Sequence, residues 1–552
     1  MKIESYNLEA FEADLQKSFQ ELRENDVVNR ILRKDYSVWK DRDEGISNRL
    51  GWLNSPSKVK PFLKEYAEEA KEIRRAGIKQ IVLLGMGGSS LAPEALSKIF
   101  PGKPGYPRFL VLDSTCPSAV SRVSDLTRNE ATLLIVSSKS GTTPETLSFL
   151  NYFYHQQKEI HGFKAGQYFV AITDPETTLE KLASKLGFRT IIHGFPDVGG
   201  RFSALSPFGL FPAALIGIDL EKLLAPVEQS LSDLKTDPYE HPGVTIGTLL
   251  GTFARLGKNK LTLVLPSSLK SFGRWLEQLI AESTGKEGQG FLPVIESLPL
   301  SEDSYSRDRV FIFYDLQGER DIFWQEKLEK FIKLKFPLLY FSFSPEDIAE
   351  HFYAWEIAIA VAGYFLQINP FDQPDVELTK KKTRELLQKH LTGFSAETLP
   401  ELESDRFSQE FKSFLLNRDD QSEYLSLLAF LPPEGNLEVA LDNLARQLTE
   451  KTRLPCTWNY GPAYLHSTGQ LHKGDAGKGK FIGLLFQEKE EVPIPSLPSS
   501  LAIASSFNQL FEAQALADFA ALREKNRKVI FFRIKEKPVE KIFRLGELVR
   551  NL

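Results

Sequence analysis

The sequence predicts an α/β protein built on parallel, doubly wound sheets, with a helical cap before them and a small α/β region after them. Three observations carry this. From residue 81 onward, short apolar runs end in Gly or Ser clusters and give way to helical patterns, as in IVLLGMGGSSLAPEAL and ATLLIVSSKSGTTPETL. Strands that alternate with helices set successive strands parallel in one sheet. The alternation then breaks at a polar, turn-rich stretch, Ser232 to Gly243, and resumes beyond it. Finally, 552 residues exceed one ordinary hydrophobic core, so two or three domains are expected.

Residues 1–80 are read as the N-terminal helical cap. Leu8, Phe11, Leu15, Phe19 and Leu22 recur at helical spacing, and Pro61 to Arg75 is a charged helix. Residues 81–235 form the first α/β domain, with strands in IVLL, FLVLDST, ATLLIVSS and YFVAIT. Residues 236–395 form the second. It has a helix through Leu249 and Arg255, a strand at Leu261 to Leu265, a helix at Phe272 to Ala281, strands around Val310 to Tyr314 and Leu338 to Ser342, and a helix at Ala354 to Leu366. Residues 396–552 are the C-terminal α/β region, with strands at Tyr424 to Ala429, Phe481 to Phe486 and Val529 to Ile534 and a Pro-rich loop, EEVPIPSLPSS.

Composition excludes several classes of function. With 42% apolar and 26% charged residues and a formal net charge of -5, the chain is an ordinary globular protein without a basic footprint for nucleic acid. An anionic ligand must therefore be caught locally. Cys116 and Cys456 are too few for a disulfide framework and lack the clustered spacing of a zinc site, which points to a reducing cytoplasm and no metal. The longest apolar run, Ile357 to Leu366, falls short of the roughly 18 to 20 residues of a membrane span. The first residues, MKIESYNLEAFEADL, are too acidic for a signal peptide, so no membrane partner is expected.

Four local patterns carry chemistry. Gly85-Met86-Gly87-Gly88-Ser89-Ser90 joins a strand to a helix, where glycines let backbone approach a ligand and Ser89 suits an anion. It lacks the Gly-Lys-Ser/Thr ending of a nucleotide P-loop. In Ser137-Ser138-Lys139-Ser140-Gly141-Thr142-Thr143-Pro144, Thr143 reads as an N-cap and Pro144 as the first helical residue, so hydroxyls and free amides converge beside one lysine. In Gly199-Gly200-Arg201-Phe202-Ser203, Arg201 suits developing oxyanion charge. In Glu282-Ser283-Thr284-Gly285-Lys286, Gly285 is read as a left-handed helix end that leaves Glu282 near the negative pole, a place for a general base. Taken singly, each has a bland reading: a tight turn, a helix cap, a surface ion pair, an exposed helix-end carboxylate.

Together, GMGGSSL, SSKSGTTPET, GGRFSALSPFGL, ESTGK and NPFDQPDVELTK, in that order over roughly residues 80 to 385, resemble the glucose-6-phosphate isomerase family. The resemblance implies two flavodoxin-like αβα domains of the sugar isomerase (SIS) type with the active site between them, no cofactor, a sugar phosphate as substrate, and a homodimer. A nearer likeness is to the isomerase half of transaldolase and glucose-6-phosphate isomerase fusion proteins, which share YGPAYLHSTGQLHKG at 460–474. No transaldolase activity is expected, because residues 1–80 are too few for a (β/α)₈ barrel of about 250 residues.

By motif, the resemblance assigns phosphate binding to Ser89, Ser138, Lys139, Ser140 and Thr143 with Thr142 beside them, and counts Gly88 among the substrate-binding residues. Glu282 becomes the base moving a proton between C2 and C1, and Arg201 the stabiliser of a cis-enediolate. Gln373 and Lys380 hold the substrate and assist ring opening. The ring-opening histidine of the family stands in a sequence like HSxGQ, which here is His466-Ser467-Thr468-Gly469-Gln470 and follows Lys380 instead of preceding it. Either a neighbouring segment or subunit delivers it, or the likeness is local. His351 occupies the colinear interval without the motif. His466 is preferred, with His472 as a structural partner. Two rivals remain open: a related isomerase that also accepts mannose 6-phosphate, and a catalytically silent sugar-phosphate-binding regulator.

Overall fold

The computed structural model describes all residues except 101, 297–299, 318, 320–321, 390–396, 398, 403–404, 418–422 and 498–503. The expected domain boundary at 395/396 and the last residues of the Pro-rich loop lie outside the described residues. After β1 (Glu4–Tyr6) come β2 (Gln80–Gly85), β3 (Arg108–Leu112), β4 (Thr132–Ser137), β5 (Phe169–Thr173) and β6 (Thr190–His193). These last five form a parallel sheet in the order β3-β2-β4-β5-β6. Then β7 (Lys260–Val264), β8 (Leu292–Glu296), β9 (Arg309–Leu316) and β10 (Leu338–Phe343) form a second parallel sheet, with β1 antiparallel on its edge: β1-β10-β9-β7-β8. A third, all-parallel sheet contains β11 (Tyr424–Phe430), β12 (Cys456–Tyr460), β13 (Gly479–Phe486) and β14 (Lys528–Ile534), ordered β12-β11-β13-β14.

Counted within each series, all three sheets run second, first, third, fourth. This is the flavodoxin-like doubly wound order, which reverses between the first and third strands and opens a crevice at their carboxyl ends. The αβα class expected from the sequence is what the chain forms. The central strands β2, β4, β5 and β7 are buried along their whole length, because helices cover both faces.

Three expectations need correction. Residues 1–80 are not all helix and loop, since Glu4–Tyr6 is a strand of the second sheet. The stretch Ser232 to Gly243 is only partly turn, because the helix Leu220–Thr236 continues through its first residues, capped at its start by Asp219 accepting from the Lys222 amide. The C-terminal region holds a fourth strand, β12, and repeats the order of the other two sheets.

Packing joins these parts. One apolar core unites the N-terminal helices with one face of each of the first two sheets and includes Trp52, Leu83, Phe211, Trp275 and Trp355. Trp52 stacks on Phe202 with centroids 5.2 Å apart, which ties the cap to the arginine loop. A second core presses the opposite face of the first sheet onto the third, where Phe149 stacks on Phe507 at 5.7 Å. The C-terminal region is thereby held beside the first sheet's loops. Among the described residues no helix is long and apolar enough to cross a membrane.

Candidate active site

The loops after β2 and β4 meet at the first sheet's switch point. Gly87 has φ +53°, a left-handed conformation that suits glycine, and a Cβ on Gly88 would lie 2.1 Å from the Gly200 carbonyl oxygen. The glycine loop and the arginine loop are therefore in backbone contact. After β4, the Ser138 and Thr143 hydroxyls bond to each other at 2.9 Å. Thr143 occupies the N-cap position expected of it, with Pro144 starting the helix Pro144–His161, but its side chain makes no capping bond. The Thr143 hydroxyl therefore does not occupy the start of the helix as a cap.

Lys139 is already engaged, since its ammonium pairs with Asp174 and donates to the Phe195 carbonyl at 3.0 Å. Burial pulls the Lys139 pKa down, against the pull of Asp174.

The helix Lys270–Thr284 brings Glu282 to the cleft. Its Oε1 accepts from Arg201 Nη1 at 3.0 Å and its Oε2 from Gln278 Nε2 at 2.9 Å, so the buried carboxylate is fixed at both oxygens. Arg201 also donates to Ser283 Oγ at 2.7 Å, Gln373 Oε1 at 3.0 Å, and the carbonyls of Pro370 and Asp372 at 2.6 and 2.9 Å. Only 2% exposed, it ties its own loop to the end of the Glu282 helix and to the stretch 370–373. Lys286 donates to Asp372 Oδ1 at 2.7 Å and bears on the same segment; burial, with Arg201 nearby, brings its pKa down to about 8.

Gly285 is not the left-handed helix end that the sequence suggests: its φ is -77°. Contact explains the residue instead. A Cβ there would lie 2.3 Å from Leu471 Cα, so the segment after His466 packs directly on the end of the Glu282 helix. Gln470 seals this contact by donating to the Gly285 carbonyl at 3.0 Å and to Asp375 Oδ2 at 2.8 Å.

The order problem of His466 resolves here within one chain. His466 Nε2 lies 3.0 Å from Glu145 Oε1, its backbone carbonyl accepts from Gln278 at 2.7 Å, and its Cβ lies 3.1 Å from the place of a Cβ on Gly87. Burial alone would raise the Glu145 carboxyl, but the His466 imidazole holds it below its usual range. Gln514 donates to the same Oε1 at 2.6 Å. The partner of His466 is thus Glu145, not His472. His472 is buried against Phe481, and neither ring nitrogen has a hydrogen-bond partner among the described residues. His351 lies elsewhere, packed between Tyr314 and Phe343, where burial pushes its pKa down to about 3.

One cleft of about 910 Å³ collects these groups. Of the expected residues, Gly88, Ser89, Lys139, Ser140, Thr143, Arg201, Glu282, Gln373, Lys380 and His466 line it. Ser138 and Thr142 do not: Ser138 is buried behind Thr143, and Thr142 bonds to Ser140 at 3.1 Å on the exposed side of the loop. Lys380 pairs with Glu377 at 2.8 Å at the rim. Glu145, Gln278 and Arg49 were missed. Gln278 stands four residues before Glu282, a spacing that faces both side chains together on a helix, and Glu145 lies inside the quoted SSKSGTTPET. Arg49 carries no comparable signal. Among the described residues no group of three or more His, Cys, Asp or Glu could hold a metal ion.

Glu277, next to Gln278, faces away from this cleft, and its Oε1 accepts from Asn459 at 3.1 Å. Burial pushes its carboxyl from 4.5 up to about 7, against Asn459 and Arg274. The folded state therefore holds a proton that the unfolded chain releases in that window, and stability falls as pH rises through it. Glu277→Gln is expected to stabilise by about 2 kcal/mol more at pH 8 than at pH 5, read from thermal melts at both. An equal effect at the two pH values would contradict this.

The Phosphoglucose isomerase family model matches residues 53–290, a span that includes the loops after β2 and β4, Arg201 and Glu282 but not Lys380 or His466. The glucose-6-phosphate isomerase of Leptospira interrogans is 30% identical over 408 residues, covering 63% of this chain and 88% of that protein. That of Carboxydothermus hydrogenoformans is 29% identical over 404 residues, covering 63% and 86%. Among solved structures, a hypothetical protein from Thermus thermophilus superposes with a TM-score of 0.62 at 25% identity, over 70% of this chain and 100% of that one. A glucose-6-phosphate isomerase from Chlamydia trachomatis shares the fold, with a TM-score of 0.56 at 18% identity over 72% of this chain and 88% of that one.

Proposed function

The chain belongs to the glucose-6-phosphate isomerase family, and from that premise we propose that its cleft interconverts glucose 6-phosphate and fructose 6-phosphate through a cis-enediolate. One observation supports this most: the same cleft holds the anion-binding loops and the buried Glu282–Arg201 pair. The phosphate anchors at Ser89, Ser140 and Thr143 beside the start of the helix Pro144–His161, and its binding energy fixes the sugar for reaction. His466, oriented by Glu145, opens the ring with Lys380 at the rim. Glu282 then takes the proton from C2 and returns it at C1, while a second proton passes from O2 to O1, so aldose becomes ketose with no net change in electrons. Arg201 lies against Glu282 and stabilises the negative charge of the enediolate. Gln373, held by Arg201, positions the sugar.

A cytoplasmic location and a homodimer complete the proposal, and His466 needs no second subunit to reach the cleft. A coupled assay with purified protein tests the reaction. Fructose 6-phosphate is expected to give glucose 6-phosphate without added metal or cofactor. No turnover would overturn the reading, and comparable turnover of mannose 6-phosphate would widen the substrate class.

A further inference from the structure

We propose that Arg49, from the N-terminal cap, is a substrate-binding residue that grips the phosphate group. The reason is a charge count in the cleft. Its other lining cations are each met by a carboxylate: Lys139 by Asp174, Arg201 by Glu282, Lys380 by Glu377. The remaining lining acids are also matched, Asp197 by Lys58 and Asp372 by Lys286. Arg49 lines the same cleft and has no ion pair or side-chain hydrogen bond among the described residues.

The backbone fixes its place. Arg49 ends the short turn Ser47–Arg49, Leu50 pairs with Val198 in an isolated antiparallel bridge, and the Gly51 amide donates to the Asp197 carbonyl at 2.7 Å. Leu50 and Trp52 are fully buried, so the segment is pinned to the loop that carries Arg201. The Arg49 charge acts on Lys139, Asp174 and Arg201, which sets it by the anion loop and by Arg201.

A phosphate monoester carries about -1.5 to -2 charges at pH 7. The hydroxyls and amides of the Ser/Thr loop can bond to it but bring no formal charge, and the Lys139–Asp174 pair brings none net. A guanidinium supplies both the charge and a planar fork that matches phosphate oxygens.

This inference rests on the isomerase reading for the identity of the anion, and inorganic phosphate tests Arg49 without it. A titration of wild type, Arg49→Gln and Arg49→Lys with inorganic phosphate, followed by phosphorus NMR, is paired with kcat and KM for fructose 6-phosphate. Arg49→Gln is expected to weaken phosphate binding and raise KM by roughly 10- to 100-fold, with kcat within about threefold. Arg49→Lys should fall between, because it keeps the charge and loses the fork. Unchanged phosphate affinity in Arg49→Gln, with an unchanged melting midpoint, would overturn the role and leave the isomerase reading standing. A fall in kcat at constant KM would also overturn it, since it would put Arg49 at the reacting carbons. If wild type does not isomerise, that reading falls, and the phosphate titration alone decides Arg49.

Discussion

Glu282→Gln is expected to lower kcat for fructose 6-phosphate by about 10²- to 10⁴-fold, with KM changed by no more than about threefold. The amide keeps the acceptor that Arg201 uses at 3.0 Å and loses the one that Gln278 uses at 2.9 Å, and it cannot take up a proton. The loss then falls on the chemical step. Glu282→Asp should lie between the two, since it keeps the carboxylate but draws it back from a sugar positioned by the phosphate loops. A KM effect without a kcat effect would remove Glu282 from the chemistry. Arg201, which would lose its charged partner in a site where it is 2% exposed, is the reason to follow the melting midpoint in parallel.

The second large effect concerns ring opening. His466→Ala is expected to lower kcat/KM about 10²-fold or more on fructose 6-phosphate, which is mostly a closed ring. On 5-deoxyfructose 6-phosphate, which lacks the hydroxyl that closes the furanose, the loss should be under about tenfold. Glu145→Gln should show the same pattern more weakly. It leaves the His466 side chain in place but removes the negative charge 3.0 Å from Nε2 that helps to orient the ring. Equal losses on closed and open substrates would assign His466 to something other than ring opening.

How far the sequence led follows from burial. β2, β4, β5, β7, β9, β10, β11 and β13 read as strands because sheets covered on both faces turn into continuous apolar runs. The edge strands β3 and β14 were read too, because FLVL and VIFF are short apolar runs of the same kind. The four strands that escaped notice, β1, β6, β8 and β12, are all at sheet edges. β8 carries Pro293, and β12 reads CTWNY with three partly exposed positions. At the site, Glu282 and Arg201 were legible because glycines and caps mark where functional loops begin. Gly285 was legible as necessary but not for the right reason. Its neighbour Leu471 is far away along the chain, and no local rule reports a contact of that kind. His466 was named from its motif, whereas its route into the cleft depends on the third sheet packing against the first. Arg49 is a loop residue in a charged segment, and only the pairing of every other cation around it gives it meaning.

The most direct test of proton transfer by Glu282 is the isotope content of product formed in deuterium oxide. Wild type converting fructose 6-phosphate is expected to place deuterium at C2 of glucose 6-phosphate, in part of the product or all of it, as the carboxyl proton exchanges with solvent between removal and return. Glu282→Gln should show neither conversion nor exchange above about 1% of the wild-type rate. Conversion and exchange at the wild-type rate in that variant would contradict the assignment of Glu282 as the base.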